Sequence, residues 1–325
     1  MSATSADVAR AAGVSRATVS YVLNDAPGRT VSRETRDNVL RAAELLGYQP
    51  SPLARSLKRG RSNTVLFPLA RVEMNHVLSS LIEACTSALA ARGLGLVSDM
   101  SGLDEPASQA EAWAQVAPAA VLGLNLHHDD AALVLLRARG IAVLSAALPG
   151  QRPWESSGDI FAREQRLEQL RYLLGRGHRR IRWILPTQLP VDPRTERRLL
   201  TEARSLADNQ SARLEVERVD LTDVAATVAA WSALPDAVAA HNDSYALAVM
   251  TALQHRGLRI PEDIAVMGLD DEPIGRVVTP PITTIAGDFS DFANAVADAV
   301  EAVLAGRPAA ALPVPRLRFI RRASA

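Results

Sequence analysis

The chain has 325 residues, 48% of them hydrophobic and 22% charged, a composition that excludes an intrinsically disordered protein. Its net charge is zero, but residues 1–61 carry +5 (ten Arg or Lys, five Asp or Glu) and the remainder −5, as expected when only the N-terminal segment meets phosphates. The first residues are too polar for a signal peptide, and no apolar run reaches the ~18 residues of a transmembrane helix, so we expect a cytoplasmic protein.

The first 24 residues predict two short helices around a tight turn. Thr4 is placed to cap the first helix, and Gly13 to end it in a left-handed conformation. Ser15 is placed to cap a second helix over residues 16–24. A generic helical hairpin matches part of this pattern by chance, but the caps and the basic charge favour a helix-turn-helix. Its spacing of small and apolar residues is carried by Ala9, Gly13, Val19 and Val22.

A third helix and a short fourth helix follow. Ser32 is the expected cap of the third helix, and Gly47 its end. Its predicted buried stripe consists of Val39, Ala42, Ala43 and Leu46. Ser51 and Pro52 form a favourable start for the fourth helix, which is barely two turns long and needs a partner helix or a DNA groove to fold.

With these elements in place, the chain resembles the LacI/GalR family of bacterial repressors over essentially its whole length. The segments that carry the resemblance are DVARAAGVSRATVSYVLN, VSRETRDNVLRAAELLGYQPSPLARSLKRGRSNTV, GHRRI, PDAVAAHNDSYALAVMTAL, GLRIPEDIAVMGLDDEP, PPITTI and FIRRASA. The resemblance implies a DNA-binding headpiece over residues 1–49, a hinge helix and linker over 50–61, and an effector-binding and dimerisation domain over 62–325.

The resemblance also implies how the headpiece contacts DNA. The second helix enters the major groove and places Arg16, Ala17 and Tyr21 at base edges, where Arg16 suits guanine and Ala17 suits a thymine methyl. Leu57 matches the hinge leucine that wedges between central base pairs. Phosphate, register or flanking contacts are expected from Thr4, Ser15, Thr18, Ser20, Asn24, Ser32, Thr35, Ala54, Arg55 and Lys58. Local capping is the alternative for the hydroxyl groups, and for Ser15 and Ser32 both roles are compatible.

The body predicts an α/β fold. Short apolar runs alternate with helical stretches, which implies two parallel sheets with helices on both faces. The runs are TVLFPL, GLGLV, AAVLGL, IAVLSA, RIRWILP, DAVAAH and DIAVMGL. The resemblance here is to the two-lobed periplasmic sugar-binding fold, whose ligand cleft lies at the carboxyl ends of the strands. It implies one lobe over about 62–158 and 287–317, and another over about 159–286 and 318–325.

Four residues are candidates for effector binding. Asn242, Asp243 and Asp270 follow predicted strands, and Arg198 stands at the spacing of the family's ligand-binding arginine. Such groups supply the donors and acceptors that a sugar-like metabolite needs. Two alternatives stay open, since Asp243 is also placed to cap a helix and Asp271 to close a turn.

Several departures from the family pattern bear on the pocket. LARVEMNHVLSSL lacks the aromatic platform that many members carry, FAREQRLEQL replaces a Gly-rich helix entry, and Thr201 replaces a glycine. Aromatic residues are 4% of the chain, and Trp154, Trp183 or Trp231 serves as a flat apolar partner for a sugar only if the fold brings it to the pocket. The effector is therefore unusual, or the pocket is vestigial.

These expectations describe a sequence-specific transcription regulator, a repressor, that binds a pseudo-palindromic DNA operator as a homodimer under control of a small-molecule effector. The alternatives are an effector-independent regulator and a small-molecule binding protein. No catalytic motif supports an enzyme, and no cofactor or membrane contact is expected. His127, His128, Asp129 and Asp130 favour a solvated loop over a metal site, and Cys85 reads as a small buried residue.

Overall fold

A computed structural model describes residues 3–23, 31–48, 62–69, 75–101, 105–123, 130–145, 157–189 and 193–325. The chain divides into two compact units, Met1–Asn63 and Thr64–Ala325. The first unit is helical, and the second combines parallel sheets with helices.

The N-terminal unit contains three described helices, α1 (Ser5–Ala11), α2 (Arg16–Leu23) and α3 (Arg33–Leu45). The predicted caps are confirmed. Thr4 and Asp7 form a reciprocal capping box, the Ser15 hydroxyl accepts from the Thr18 amide at 3.1 Å, and the Ser32 hydroxyl accepts from the Thr35 amide at 3.2 Å. Gly13 has φ +68°, the left-handed conformation expected after α1.

The three helices share one apolar core. It contains Val8, Ala9, Val19, Val22, Val39, Ala42 and Ala43. The prediction that Leu46 extends this core is wrong, because α3 has already ended there and the Leu46 side chain is 40% exposed. Tyr48, two residues further on, packs against the core.

The first sheet of the larger unit is parallel and has strand order β2-β1-β3-β4. Its strands are β1 (Thr64–Pro68), β2 (Gly95–Asp99), β3 (Ala120–Gly123) and β4 (Ala142–Ser145). The connecting helices are α4 (His76–Ala90), α5 (Pro106–Gln115) and α6 (Ala131–Ala138). Alternation along β1 separates two cores: Val65 and Phe67 face one cluster with α4, whereas Leu66 faces another with α5 and α6.

The second sheet is also parallel and has strand order β6-β5-β7-β8. Its strands are β5 (Arg180–Leu185), β6 (Arg213–Arg218), β7 (Ala237–Ala240) and β8 (Ala265–Met267). The helices α7 (Ser157–Gly175) and α8 (Pro193–Asn209) cover one face, and α9 (Val224–Ala229) and α10 (Asp243–His255) cover the other. The two predicted parallel sheets with helices on both faces are confirmed.

The sequence patterns did not predict three strands. One is β6, and the other two, β9 (Thr284–Asp288) and β10 (Arg316–Ile320), pair antiparallel with each other. A four-residue helix, α11 (Ile274–Val277), precedes β9. After β9 the chain enters α12 (Ser290–Leu304), which packs on the first sheet through Phe292 and Val296. The last residues return to the second sheet. There the Ser324 amide donates to the Pro281 carbonyl at 3.1 Å, and the Ser324 hydroxyl donates to the Val266 carbonyl at 2.5 Å.

Replacing Val39 by Ala tests the small core of the N-terminal unit. The Val39 side chain is fully buried, so the substitution removes buried methyl groups and is expected to lower local stability by about 2 kcal/mol. Hydrogen exchange of the α1–α3 amides in the full chain measures the effect. Leu40→Ala is the matched control, because Leu40 is 46% exposed and its loss is expected to change exchange little. Equal effects of the two substitutions would contradict this packing.

Candidate functional sites

The helix α2 has one buried and one open side. Val19 and Val22 are buried in the core of the N-terminal unit, whereas Arg16 and Ala17 are exposed at the beginning of the helix. Ser20 and Tyr21 are partly exposed further along. The residues predicted to reach base edges therefore lie on the accessible side of α2.

The hydroxyl groups predicted to contact DNA also act within the protein. The Ser15 and Thr18 hydroxyls lie 2.9 Å apart, and the Ser32 and Thr35 hydroxyls 2.8 Å apart, at the beginnings of α2 and α3. Local capping is thus established for both pairs, as it is for Thr4. The remaining predicted DNA contacts lie outside the described residues: Asn24, Ala54, Arg55, Leu57 and Lys58.

The second candidate site lies at the carboxyl ends of the second sheet. Leu185 pairs with Arg218, and Ile184 pairs with Ala240, so His241 lies level with Leu185 and Arg218 across the edge of the sheet. Leu185 belongs to the cluster under α7 and α8. Residues in one row of a parallel sheet share a face, which places His241 and Arg218 on the side covered by these two helices.

Two glutamines of α7 bind the ends of the strands. The Gln169 side-chain amide lies 2.9, 2.9 and 3.1 Å from the carbonyl oxygens of Ala240, Met267 and Gly268. The Gln165 side-chain amide donates to the Ile285 carbonyl at 2.8 Å and to the Asp270 carboxylate at 2.9 Å. Both side chains are buried, so they satisfy strand-end acceptors that water does not reach.

A buried arginine lies beside these glutamines. Arg166 is 6% exposed and donates to the Ala162 carbonyl at 2.9 Å and to Nδ1 of His241 at 3.1 Å. A guanidinium group only donates, so Nδ1 of His241 accepts and the ring proton lies on Nε2. Burial lowers the pKa of His241 to about 3, and the positive charges of Arg166 and Arg218 act in the same direction. The imidazole is therefore neutral at physiological pH.

The predicted residues Asn242 and Asp243 have different positions. The Asn242 side chain caps α10 by accepting from the Tyr245 amide at 3.0 Å, a role that sequence reasoning had considered for Asp243. Asp243 follows as the first residue of α10 and is fully buried, with its carboxylate accepting from the Glu272 amide at 2.8 Å. An added Cβ at Gly268 would lie 2.0 Å from Asp243 Oδ1, so the absence of a side chain at Gly268 is what admits this carboxylate.

Burial also governs the protonation of these strand-end acids. It raises the pKa of Asp243 to about 8 and that of Asp270 to about 6. Asp270 has φ +88° and holds its backbone position by donating its amide proton to the Ile285 carbonyl at 2.8 Å. Unlike Asp243, Asp270 keeps partial exposure, and it lies near enough to Arg166 for the two charges to stabilise each other.

Arg198 lies on α8 and pairs with Glu202 at 2.7 Å. The same Glu202 carboxylate accepts from Arg163 of α7 at 2.7 Å, and Arg163 is 7% exposed. Arg218, at the end of β6, pairs with Glu196 of α8. The structure therefore brings Asn242 and Asp270 to one edge of the sheet and joins Arg198 to α7 through Glu202, while Asp243 lies beneath the edge.

Two other sequence expectations are revised. Asp271 does more than close a turn: it has φ +53° and pairs with Arg276 at 2.7 Å and with Arg322. Neither Trp183 nor Trp231 offers a flat surface to a ligand, because Trp183 is fully buried and Trp231 is 5% exposed and stacked under Arg182. Trp154 lies outside the described residues.

Sequence reasoning missed the polar residues that define this edge: Arg163, Gln165, Arg166, Gln169, Arg218 and His241. The difference from the family pattern at FAREQRLEQL identified this segment as unusual but did not indicate what its polar side chains bind. A polar residue every three or four positions is typical of a solvated helix face, whereas α7 is covered on nearly all sides. The signal was the juxtaposition of these polar residues with Leu167, Leu170 and Leu173 in a helix without one apolar stripe.

The residues that the structure describes also bear on metal binding, membrane insertion and thiol chemistry. Within them, no group of three or more His, Cys, Asp or Glu side chains is arranged to hold a metal ion. No described helix combines the length and apolarity needed to cross a membrane. Cys85 is buried, and burial raises the pKa of its thiol to about 12, which confirms the prediction of a buried, unreactive residue. Of the predicted loop, His127, His128 and Asp129 lie outside the described residues, and Asp130 caps α6.

Known proteins match segments of both units of the chain. Residues 4–51 match bacterial regulatory proteins of the lacI family, and residues 170–325 match a periplasmic binding protein-like domain. The HTH-type transcriptional repressor PurR of Vibrio vulnificus is 31% identical over 296 residues, 87% of this chain and 86% of that protein. The ribose operon repressor of Escherichia coli K12 is 30% identical over 298 residues, 87% of each chain.

A solved structure shares the fold. The lac repressor dimer bound to operator and the anti-inducer ONPF aligns with a TM-score of 0.77 at 23% identity, over 100% of this chain and 99% of that one. Fold and relatives together define a DNA-binding transcription regulator with an effector domain, and not an enzyme. The chain belongs to the lacI family of bacterial regulatory proteins, which bind operator DNA, respond to small-molecule effectors and typically act as dimers.

Replacing Asp243 by Asn tests the buried acid. Because its pKa in the folded chain, about 8, exceeds the ordinary value of 3.8, the folded chain binds this proton more tightly than the unfolded chain does. Its contribution to the free energy of unfolding therefore falls as pH rises through this window. Between pH 6 and 8 the wild type is expected to lose about 2–3 kcal/mol relative to Asp243→Asn. Denaturant unfolding at several pH values measures this difference. Parallel pH profiles for the two proteins would contradict it.

Proposed function

We propose that the chain is a cytoplasmic repressor that binds a pseudo-palindromic operator as a homodimer, with its affinity set by a small-molecule effector. Both relatives are repressors, which supports this direction of regulation. The proposed organisation is a headpiece over residues 1–49, a hinge over 50–61 and an effector and dimerisation domain over 62–325. Its lobes comprise about 62–158 with 287–317, and about 159–286 with 318–325.

The observation that carries the proposal is the two-sided character of α2. Val19 and Val22 are buried, while Arg16 and Ala17 are exposed where a recognition helix meets base edges. Arg16 contacts guanine, Ala17 a thymine methyl, and Tyr21 a neighbouring base edge. The phosphate and register contacts come from Thr4, Ser15, Thr18, Ser20, Asn24, Ser32 and Thr35, and the hinge contacts from Ala54, Arg55, Leu57 and Lys58.

The effector site is proposed at the carboxyl edge of the second sheet. The partial exposure of Asn242 and Asp270 supports direct contact with the ligand, and the link of Arg198 to α7 through Glu202 supports a contribution from α8. Asp243 supports this edge from beneath, because its carboxylate is enclosed between α10 and Gly268.

Regulation follows from linkage. Two headpieces on a two-fold dimer read two half-sites, and the hinge segments order only when the effector domains hold them at the required separation. An effector that binds one arrangement of the lobes better than another shifts the hinge equilibrium. A coupling of about 1–3 kcal/mol changes operator affinity roughly 5- to 150-fold.

Replacing Arg16 by Ala tests direct readout. Loss of a bidentate contact to guanine is expected to relax base preference at one position per half-site and to weaken specific binding by about 1–3 kcal/mol. Selection of bound duplexes from random DNA, followed by titration, measures both effects. Arg41→Ala removes the same charge from an exposed position on α3 and is expected to retain the preference. Unchanged selected sequences for Arg16→Ala would show that α2 does not read DNA in this way.

Replacing Leu57 by Ala tests the hinge wedge. The loss of an apolar wedge between base pairs is expected to weaken binding to the selected operator while leaving binding to scrambled duplex unchanged. Titration of both duplexes at one salt concentration separates the two terms, because non-specific affinity is set by phosphate contacts. An equal loss on both duplexes would assign Leu57 no wedging role.

A further inference from the structure

Two arginines and a histidine lie close together at one corner of the edge of the second sheet. His241, at the end of β7, and Arg218, at the end of β6, lie level with each other and are separated by β5. Two strand spacings place their backbones roughly 10 Å apart, a span that a small polar group with one hydrogen bond on each side bridges. Both residues keep partial exposure, with 28% for the Arg218 side chain.

Arg166 lies beside His241 at this corner and donates to its Nδ1. This guanidinium is 6% exposed, and both of its hydrogen-bond acceptors, the Ala162 carbonyl and the His241 imidazole, are uncharged. Its Nε is buried without a hydrogen-bond partner among the described residues. Among the described residues, the nearby Asp270 carboxylate attracts this buried cation, and the low local dielectric strengthens that attraction.

The charges that act on His241 are both positive. Arg166 and Arg218 each disfavour its protonation, so the ring stays neutral and presents Nε2–H as a donor. Two carboxylates among the described residues lie near these groups: Glu196 pairs with Arg218, and Asp270 accepts from the Gln165 amide and attracts Arg166. Arg218 retains donor capacity after its bonds to Glu196 and to the Pro186 carbonyl, since a guanidinium has five donor hydrogens.

We infer that the effector of this chain carries an anionic group, a carboxylate or a phosphate, which binds between His241 Nε2–H and the Arg218 guanidinium. Arg166 is a positioning residue that holds the His241 ring in the required tautomer and adds a buried positive charge. The inference rests on the proposed effector regulation and names the chemical class of its ligand. Neutral sugars meet the same edge without the charge-assisted contacts and bind more weakly.

Matched neutral and anionic probes test the inference on the full-length protein. The pairs are ribose with ribose 5-phosphate, glucose with glucose 6-phosphate, and glucose with gluconate, with inorganic phosphate and acetate as bare anions. Calorimetry is expected to show at least one anionic member binding about 10- to 100-fold more tightly than its neutral partner. Equal affinities within every pair, or no binding of any anionic probe at millimolar concentration, would overturn the inference.

Substitutions then locate the anion. Arg166→Gln and Arg218→Gln are each expected to weaken the anionic probe at least 10-fold and to weaken its neutral partner much less. Arg166→Lys, which keeps the charge, is expected to restore part of the affinity. Arg256→Gln is the control, because Arg256 also donates to two backbone carbonyls, Val228 at 2.7 Å and Trp231 at 3.0 Å, at the other end of α10. A uniform loss for neutral and anionic probes would mark Arg166 as structural only and contradict the inference.

Two further measurements complete the test. Nitrogen-15 NMR of His241 is expected to show a neutral ring protonated at Nε2 in the wild type and a mixture of tautomers in Arg166→Gln, which separates positioning from folding. If Arg166→Gln does not fold, Arg218→Gln alone decides, since its side chain lies nearer the surface. Operator titration in parallel distinguishes a failure of the anionic effector class from a failure of the proposed function. Specific DNA binding that responds to neutral ligands alone would refute the anionic class and leave the proposed function intact, whereas loss of all specific DNA binding would refute the function itself.

Discussion

Every parallel strand of the second sheet ends at the same edge, and the carbonyl groups at that edge need hydrogen-bond partners. This constraint shapes the larger unit. The Gln169 amide serves three strand-end carbonyls and the Gln165 amide serves a fourth, so one helix ties β7, β8 and β9 together. Because unsatisfied buried carbonyls destabilise a fold by about 1–3 kcal/mol each, α7 stays in contact with the edge along its length.

The same constraint brings charge into the interior. A helix that is buried on nearly all sides and carries FAREQRLEQL must place arginine and glutamine side chains among leucines. Arg163 reaches the Glu202 carboxylate, and Arg166 reaches the His241 ring. Burial accounts for the altered acidities of His241, Asp243 and Asp270, since each charged form is poorly solvated there. The polar groups available for recognition at this edge are thus set by the same helix that supplies hydrogen bonds to the strand-end carbonyls.

The N-terminal unit is limited by the small size of its core. Its core of seven small apolar residues is too small to be robust, and its helices depend on side-chain caps at Thr4, Ser15 and Ser32. The use of valine and alanine inside leaves the larger polar side chains outside. Arg16 and Ala17 of α2 are therefore accessible, because that helix turns Val19, Val22 and the partly buried Leu23 toward the core.

The sequence by itself determined the elements whose signals are local. Caps, left-handed glycines and apolar periodicity depend on residues within one or two turns, and they identified the three headpiece helices and the alternation behind both parallel sheets. Their spacing also indicated the family. Local patterns did not reveal β6, β9 and β10, or the exposure of Leu46, because edge pairing and the final turn of a helix depend on neighbours distant in sequence.

Only the tertiary structure decided which polar residues meet. Gln165 and Asp270 are 105 positions apart, and Gln169 and Gly268 are 99 apart, so no periodicity relates them. The exchange of roles between Asn242 and Asp243 depends on the space beside Gly268, which directly follows β8. Burial and pairing are properties of the packed chain, and they determine whether a charged side chain is a surface group or part of a binding edge.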